Sequence, residues 1–250
     1  MIPRQTLLNW CNETLQPQLF KDGAPNGLQV EGNDQIRYII TAVTASQAAI
    51  NHAVEQGADT LLVHHGLFWR SEPTAIIGWK KQRIAALLAH NINLIGYHLP
   101  LDAHPTLGNN AQLAAKLNWQ PENTFGEQNL LNIGILPNNQ RTLAQLAQAI
   151  EQTLGRTPTI IGNPKQPLTR IAWCTGGAQW YFQAAIDADA DVYLTGEISE
   201  AQYHLANETD TAFIAAGHHA TERYGIQALG NALAQQFGVK VQFFDENNPA

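Results

Sequence analysis

Two segments of this chain align with each other without a gap, and this internal repeat constrains the fold more than any other feature of the sequence. Residues 38–66 (YIITAVTASQAAINHAVEQGADTLLVHHG) lie over residues 170–198 (RIAWCTGGAQWYFQAAIDADADVYLTGEI). Each segment has the pattern of a strand, a turn, a helix, an Ala-Asp pair and a second strand. In this alignment Asp59 falls on Asp191 and Leu62 on Leu194. The repeat predicts two related α/β halves.

The segments that follow extend the repeat and carry its chemistry. Residues 91–102 (NINLIGYHLPLD) align with residues 211–222 (TAFIAAGHHATE), which places His98 on His218 and Asp102 on Glu222. Each half therefore contains a strand that ends in a histidine followed, four residues later, by an acidic residue. A chance resemblance between two strand–helix–strand units does not account for this second match.

Short apolar runs alternate with amphipathic segments along the chain, and this order predicts an α/β fold with largely parallel or mixed sheets. The runs RYIITAV, DTLLVHH and INLIGYH are typical of strands, and segments with helical spacing separate them. A polar, turn-rich stretch at residues 118–129 (NWQPENTFGEQN) interrupts the pattern and predicts a loop. We therefore expect a first α/β repeat over residues 1–126 and a second over residues 127–250.

Composition and charge exclude several classes of protein. Of the residues, 44% are hydrophobic and 14% are charged, which is typical of a globular chain and not of a disordered one. The net charge of −7 and the lack of a basic run argue against nucleic-acid binding. No apolar run approaches the roughly 18 residues of a membrane span, and the N-terminal segment is typical of an amphipathic helix. Cys11 and Cys174 match neither a zinc ribbon nor a disulfide framework. We expect a cytoplasmic protein with no nucleic-acid or membrane partner.

Histidines follow three of the predicted strands. They are His64 and His65 after one strand, His98 after the next, and His218 and His219 in the second half. In open α/β sheets, functional groups gather where strand ends meet loops and helix N-termini. Imidazole and carboxylate ligands suit Zn, Fe, Mn or similar divalent ions. Adjacent residues of a strand point to opposite faces, so the vicinal histidines are expected to reach different ions, and one carboxylate is able to bridge two ions.

A purely structural explanation competes with the metal site. A single buried histidine is more often a hydrogen-bonded core residue than a metal ligand, and we apply this interpretation to His52, His90 and His204. His204 follows the TGEISEAQY segment near a strand end, so it is also a weak candidate for supporting a ligand residue. The repeated His-His pair and the repeated His-x-x-x-acid motif favour metal binding for the histidines at the strand ends.

Five motifs of the chain resemble a known family: DGAPNGLQVEG, VHHGLFW, YHLPLDAHPTLGNNAQLA, TGEISEAQYH and AAGHHATERYG. Together they are similar to the GTP cyclohydrolase 1 type 2 or NIF-three-like family, and most of all to its short bacterial YbgI-like members, over essentially the whole chain. The resemblance implies two intertwined α/β repeats, a dinuclear metal site shared between them and a toroidal homohexamer. The chain lacks the extra domain that longer members insert between the halves.

The resemblance also implies which residues bind two divalent ions per chain. Carried over by motif, the ligands are His64, His65, Asp102, His218 and Glu222. Glu222 takes the place of the bridging ligand. His98 is either a sixth ligand or a partner that supports a ligand through a hydrogen bond.

Three loops beside these motifs each have two interpretations. The GAPNGLQVEG loop is either a tight turn or a substrate contact through Asn26 or Gln29. The WCTGGAQ loop is either an ordinary strand–helix turn, with Cys174 as a buried apolar residue, or a cradle for an anion. In TGEISE, Glu197 either orients a ligand histidine or, with Glu200, favours a helix N-terminus.

The residues favour a metal-dependent hydrolase. A water held between two ions has a lowered pKa, and His98 or His219 would move the proton, because imidazole titrates near neutral pH. The resemblance implies GTP ring opening by hydrolysis at the purine C8, while a phosphoester or an amide is equally compatible with the metals. The alternative is a non-enzymatic metal-binding scaffold or regulatory protein. Five or six protein ligands leave open positions on two ions, which favours the enzyme.

Overall fold

The computed structural model describes all 250 residues, which form two compact units. The first unit contains Met1–Gly108 and Gly225–Asn247, and the second contains Asn109–Tyr224 and Asn248–Ala250. The strands are β1 (Ile2–Pro3), β2 (Gly27–Val30), β3 (Gln35–Ile36), β4 (Tyr38–Thr44), β5 (Thr60–His65), β6 (Asn93–Gly96), β7 (Gln120–Phe125), β8 (Leu131–Ile135), β9 (Thr159–Ile161), β10 (Arg170–Trp173), β11 (Val192–Thr195), β12 (Ala212–Ala215) and β13 (Lys240–Phe243). The α-helices are α1 (Arg4–Leu15), α2 (Gln47–Glu55), α3 (Gly78–Ala89), α4 (Leu99–Ala103), α5 (Asn109–Leu117), α6 (Leu143–Leu154), α7 (Phe182–Asp187), α8 (Glu200–Glu208) and α9 (His218–Phe237).

The first unit is built on a five-stranded mixed sheet with the strand order β13-β4-β5-β6-β2. Strands β13, β4, β5 and β6 run parallel, and β2 pairs with β6 antiparallel. The predicted α/β class with mixed sheets is therefore confirmed. Strand β13 and the second part of α9 belong to this unit although they come from the C-terminal end of the chain.

Alternate residues of the central strands face opposite sides of this sheet, and each side has its own apolar core. On one side Ile40, Leu61 and Val63 pack with helices α2 and α3. On the other side Ile39 and Leu62 pack with α1 and with the C-terminal part of α9. Because helices cover both faces, the central strands are apolar almost throughout, as buried parallel strands are.

The second unit contains a six-stranded mixed sheet with the order β7-β8-β10-β11-β12-β9. Strands β10, β11 and β12 are parallel, whereas β8 and β9 pair antiparallel with the two ends of this trio. One face packs against α5 and α6 through residues that include Trp173 and Leu194. On the other face the rings of Phe182, Tyr193 and Phe213 contact one another.

The internal repeat seen in the sequence corresponds to a repeated hydrogen-bond pattern. Strands β4, β5 and β6 match β10, β11 and β12, and in both units the third strand has an antiparallel neighbour. Asp59 accepts hydrogen bonds from the backbone N–H groups of Arg37 and Tyr38 at 2.8 and 3.0 Å. Asp191 accepts the equivalent pair at the start of β10 at 2.7 and 2.8 Å. The aligned aspartates therefore fix the start of the first strand in each unit.

The predicted loop at residues 118–129 is wrong over half its length. Residues Gln120–Phe125 form strand β7, which pairs antiparallel with β8 and contains an irregularity between Pro121 and Asn123. The strand lies at the edge of its sheet and five of its six side chains are exposed. Polar residues are tolerated there, so no alternation of apolar and polar residues marks the strand in the sequence.

The expected repeats meet near residue 126, whereas the compact units divide the chain after Gly108 and after Tyr224. A repeat is a property of the sequence and a compact unit is a property of packing, so the repeat boundary stays a prediction. No helix of the structure combines the length and the apolar character that crossing a bilayer requires.

The paired aspartates generate a test of the repeated fold. Asp59→Ala and Asp191→Ala each leave two backbone N–H groups without their acceptor, so each variant should lose about 1–3 kcal/mol of unfolding free energy. Urea unfolding followed by circular dichroism measures this loss. Asp187→Ala is the matched control, because Asp187 is exposed and bonds only the side chain of Gln183. Unchanged urea midpoints in both test variants would contradict the structural role.

Candidate metal site

His64 lies at the carboxyl end of β5 and is the most buried of the predicted ligands, with 1% of its surface exposed. Its Nδ1 atom is 2.9 Å from the backbone carbonyl oxygen of Tyr97, so Nδ1 carries the proton and donates it. The lone pair of the ring is then on Nε2. This atom lies 3.4 Å from Oδ1 of Asp102, a buried carboxylate in helix α4. His64 and Asp102 are thus brought together as predicted.

His65, the last residue of β5, is held by the neighbouring strand. Its Nδ1 atom is 3.1 Å from the hydroxyl of Thr44, which lies opposite His65 in the parallel ladder. The rings of His64 and His65 have centroids 4.5 Å apart. We expect these adjacent side chains to point away from each other, and this expectation is wrong for the rings, which lie close together. Alternation fixes the direction of the Cβ atoms only, and here the two imidazoles converge beyond the strand end.

His98 follows β6 and precedes α4, and a carboxylate that the sequence did not single out orients its ring. Oδ1 of Asp22 accepts a hydrogen bond from Nδ1 of His98 at 2.8 Å. Oδ2 of Asp22 accepts the backbone N–H of Leu99 at 3.0 Å and the side-chain amide of Asn26 at 2.9 Å. The carbonyl oxygen of the Asn26 side chain accepts the backbone N–H of His98 at 2.7 Å. Asp22 and Asn26 together clamp His98 in one orientation.

The environment of Asp22 favours its charged form. Burial by itself raises the pKa of this carboxyl, but the hydrogen bonds from His98, Asn26 and the backbone of Ala24 outweigh burial. The net effect holds the pKa of Asp22 well below the ordinary aspartate value. A charged Asp22 can only accept, so Nδ1 of His98 donates to it and the ring lone pair is again on Nε2.

The three histidines of the first unit form a group with metal-binding geometry. His64, His65 and His98 each offer one ring nitrogen, and these atoms lie within 4.8 Å of one another. The ring centroids of His98 lie 5.1 Å from His64 and 5.8 Å from His65. The short separations arise because β5 and β6 are adjacent parallel strands whose carboxyl ends meet at the same edge of the sheet.

His218 and Glu222 form a second constellation, at the start of α9 in the second unit. The helix begins at His218, so a spacing of four residues places both side chains on one face. Nε2 of His218 is 3.1 Å from Oε2 of Glu222, and Nδ1 is 2.6 Å from Oε1 of Glu197. Glu197 therefore orients His218, and it precedes helix α8 instead of forming part of it. This resolves the two interpretations of the TGEISE segment.

The two carboxylates change the protonation of His218. Burial lowers the pKa of this imidazole, but the hydrogen bonds and negative charges of Glu222 and Glu197 outweigh burial and raise the pKa to about 9. In the absence of a metal ion, His218 is therefore positively charged at neutral pH. A dication that binds Nε2 would replace this proton, because only the neutral imidazole is a ligand.

Gly176 of the WCTGGAQ loop allows the backbone of the loop to lie close to His218 and Glu222. Gly176 has a φ of +72°, and a Cβ atom at this position would lie 2.0 Å from Oε1 of Glu222 and 3.2 Å from Nε2 of His218. The N–H of Gly176 donates to the hydroxyl of Thr221. The loop is thus a strand–helix turn whose glycine leaves room for the Glu222 carboxylate. Cys174 is buried, as expected of an apolar residue.

The remaining predicted residues lie outside these constellations. His219 is buried, one residue along α9 from His218, so its side chain leaves the helix about 100° away. Gln29 packs between Gly66 and Gly96 and accepts the N–H of Leu67 at 2.9 Å, which indicates a structural role. His52 stacks on Phe244, His204 lies 3.9 Å from Glu200 at the surface, and His90 caps helix α3.

One feature is common to His64, His65, His98 and His218. In each ring Nδ1 is bonded to an oxygen atom that belongs to a backbone carbonyl, a hydroxyl or a carboxylate. Metal-binding histidines almost always use one ring nitrogen for such an oxygen, which fixes the orientation of the ring and presents the other nitrogen to the metal. The donor set of imidazoles and carboxylates, with no thiolate, suits Zn, Fe or Mn. The arrangement fits a divalent metal site.

Comparisons with known proteins point to one family. A sequence model of the family described as Duf34/NIF3 (NGG1p interacting factor 3) matches residues 2–249. A protein of Neisseria meningitidis serogroup A, named GTP cyclohydrolase 1 type 2 homolog, is 65% identical over 250 residues, which are 100% of both chains. A protein of the same name from Pseudomonas aeruginosa is 47% identical over 251 residues, and the match covers 100% of this chain and 99% of that protein. A solved structure described as protein ybgI, of unknown function, superposes with a TM-score of 0.96 at 46% identity, over 100% of both chains.

The protonation of His218, and the stability that its ion pair contributes, should depend on pH in a characteristic way. Because its pKa is raised from 6.5 to about 9, the contribution of this ion pair to stability is fully present below about pH 6.5 and is lost as the pH rises through 9. NMR titration of the imidazole in chelator-treated protein should show protonation persisting to this range. Glu197→Gln should lower the midpoint, whereas Glu208→Gln, at an exposed position of α8, should not. An ordinary histidine midpoint in the unsubstituted chain would contradict this geometry.

Proposed function

The chain belongs to the Duf34/NIF3 family, and on this premise we propose that it binds two divalent metal ions and acts as a metal-dependent hydrolase. The observation that supports the proposal most strongly is the shared anchoring of four imidazoles through Nδ1. A histidine that only fills a core needs no such uniform orientation. The ions would be Zn, Fe or Mn, since imidazole and carboxylate ligands suit all three.

We assign the ligands by the chemistry of each constellation. The proposed ligands are His64, His65, His98, Asp102, His218 and Glu222. Glu222 would be the ligand that the two ions share, as the family resemblance implies, and the repeat gives Asp102 the matching place. His98 is assigned as a ligand instead of a supporting residue, since Asp22 supplies its support at Nδ1 and the ring belongs to the group with His64 and His65.

The residues around the ligands hold protons at defined atoms. The Tyr97 carbonyl, Asp22 and Glu197 keep a proton on Nδ1 of His64, His98 and His218 respectively. Divalent ions in such a site would supply Lewis-acid polarisation of the scissile bond and acidify a water molecule. With His98 used as a ligand, His219 is the remaining candidate for moving the proton among the predicted residues. Opening of the purine ring of GTP is the reaction that the family resemblance implies, and phosphoesters and amides are the other substrate classes to test.

Assembly and location complete the proposal. A toroidal homohexamer is carried over from the family resemblance, a cytoplasmic location is expected from the composition, and both stay predictions. A non-enzymatic metal-binding scaffold is the alternative outcome of the experiments below.

Metal content tests the proposal. Purified protein should hold about two divalent ions per chain, as a two-metal site requires. His64→Ala and His218→Ala should each lose most of the metal, because each removes a proposed ligand. Glu222→Gln should lose at least one ion, and Asp102→Asn should have a milder effect. Elemental analysis by mass spectrometry, on protein never exposed to a chelator, measures each value.

The matched control is His204→Ala, since this side chain is 60% exposed and its nearest carboxylate is Glu200. It should keep the metal content of the unsubstituted chain. Activity is then measured on the metal-loaded protein against nucleotides, phosphoesters and amides, with Glu222→Gln as the inactive reference. Full metal content without any turnover would favour the scaffold, and the absence of bound metal would overturn both.

A further inference from the structure

A cavity of about 420 Å³ opens beside the histidine group of the first unit. It is formed by the turn at residues 22–25, the segment at residues 68–74 and one side chain of helix α3, Lys80. Its volume lies within the usual range for small-molecule sites. No aliphatic side chain larger than alanine or proline lines it, so its large apolar walls are the rings of Phe68 and Trp69.

Trp69 connects this cavity to the proposed metal ligands. Its ring centroid lies 5.0 Å from that of His98 and 5.9 Å from that of His65. Asp22, whose carboxylate orients His98, also lines the cavity. A ligand packed against Trp69 would therefore contact a residue that touches two imidazoles of the histidine group.

The charged side chains that line the cavity differ in their bonding partners. The carboxylate of Asp22 is used by His98, Asn26 and backbone N–H groups. Glu72 accepts a hydrogen bond from the buried Nζ of Lys80 at 3.3 Å. Arg70, in contrast, donates only to the neutral backbone carbonyl of Asp22, at 3.0 Å. The rim of the cavity thus offers one guanidinium that forms no ion pair with a carboxylate.

We propose that this cavity binds a flat aromatic ring that bears a negative charge, with the ring against Phe68 and Trp69 and the anionic group paired with Arg70. Aromatic rings favour such walls through stacked or edge-to-face contacts, and guanidinium is the side chain best suited to a planar oxyanion. The inference rests on the proposed function in one respect: it makes this cavity the specificity pocket of the hydrolase, which would hold the substrate next to the metal ligands.

Binding of three small probes to the purified full-length chain tests the pocket. The probes are benzenesulfonate, which has both an aromatic ring and a negative charge, cyclohexanesulfonate, which has only the charge, and benzyl alcohol, which has only the ring. Sulfonates are weak metal ligands, so binding of these probes does not report on the metal site. Ligand-detected NMR titration should show that benzenesulfonate binds about tenfold more tightly than cyclohexanesulfonate. Trp69→Leu should abolish this preference. Arg70→Gln should weaken benzenesulfonate binding by about threefold and leave benzyl alcohol unchanged.

Control variants keep the test decisive. Trp180→Leu removes a tryptophan that is 69% exposed and belongs to the second unit, so it should change nothing. Trp69→Phe keeps an aromatic wall and should retain the preference for benzenesulfonate, which covers the case in which Trp69→Leu fails to fold. Equal affinity for the two sulfonates in the unsubstituted chain, or unchanged binding in folded Trp69→Leu, would overturn the pocket.

Metal analysis of the same samples separates the two proposals. Trp69→Leu should retain the metal content of the unsubstituted chain, because Trp69 contacts the histidine rings without supplying a ligand atom. If the unsubstituted chain contains no metal but binds benzenesulfonate in a Trp69-dependent way, the hydrolase proposal fails and the pocket stands. If metal is present and the ring preference is absent, the pocket fails and the metal proposal stands.

Discussion

The hydrogen bond from Nδ1 of a histidine to a fixed oxygen atom is the interaction on which the chemistry of this protein depends. An imidazole on a strand end rotates about two side-chain torsions, and either nitrogen of the neutral ring is able to carry the proton until one of them is engaged. Here the Tyr97 carbonyl, Asp22 and Glu197 remove that freedom for His64, His98 and His218. Orientation is thereby built into the folded chain before any ligand binds, which reduces the cost of assembling a metal site.

The two units reach this result from the same scaffold with different side chains. In both, an aspartate before the second strand holds the start of the first, and histidines emerge at the carboxyl ends of parallel strands. In the second unit the orienting acid, Glu197, follows the neighbouring strand, and it aligns with His65 in the repeat. In the first unit the aligned residue is His65. The acid that orients His98 is Asp22, which lies in a turn distant from His98 in the sequence. The first unit therefore contains three clustered imidazoles where the second contains one.

Residue patterns predict the parts of this fold that are buried. The alternation of apolar runs with helical segments is imposed by a sheet covered on both faces, so β4, β5, β6 and their helices could be located from the sequence. Strand β7 could not, because its exposed side chains are under no such constraint. The histidines of the two constellations could be located from the sequence because they follow apolar runs. Asp22 was missed because it lies 76 residues from His98 and its role depends on tertiary contact alone. Trp69 belongs to the VHHGLFW motif, yet no spacing rule indicates that it borders a cavity.

Anomalous X-ray diffraction from crystals of the metal-loaded protein tests the central claim most directly. It locates the ions and, at sufficient resolution, identifies which nitrogen of each imidazole is bound. We predict two ions, coordinated by Nε2 of His64, His65, His98 and His218. Every Nδ1 should still be bonded to its oxygen, and Glu222 and Asp102 should be among the ligands. Ions bound elsewhere on the chain, or coordination through Nδ1 with Asp22 and Glu197 displaced, would contradict it.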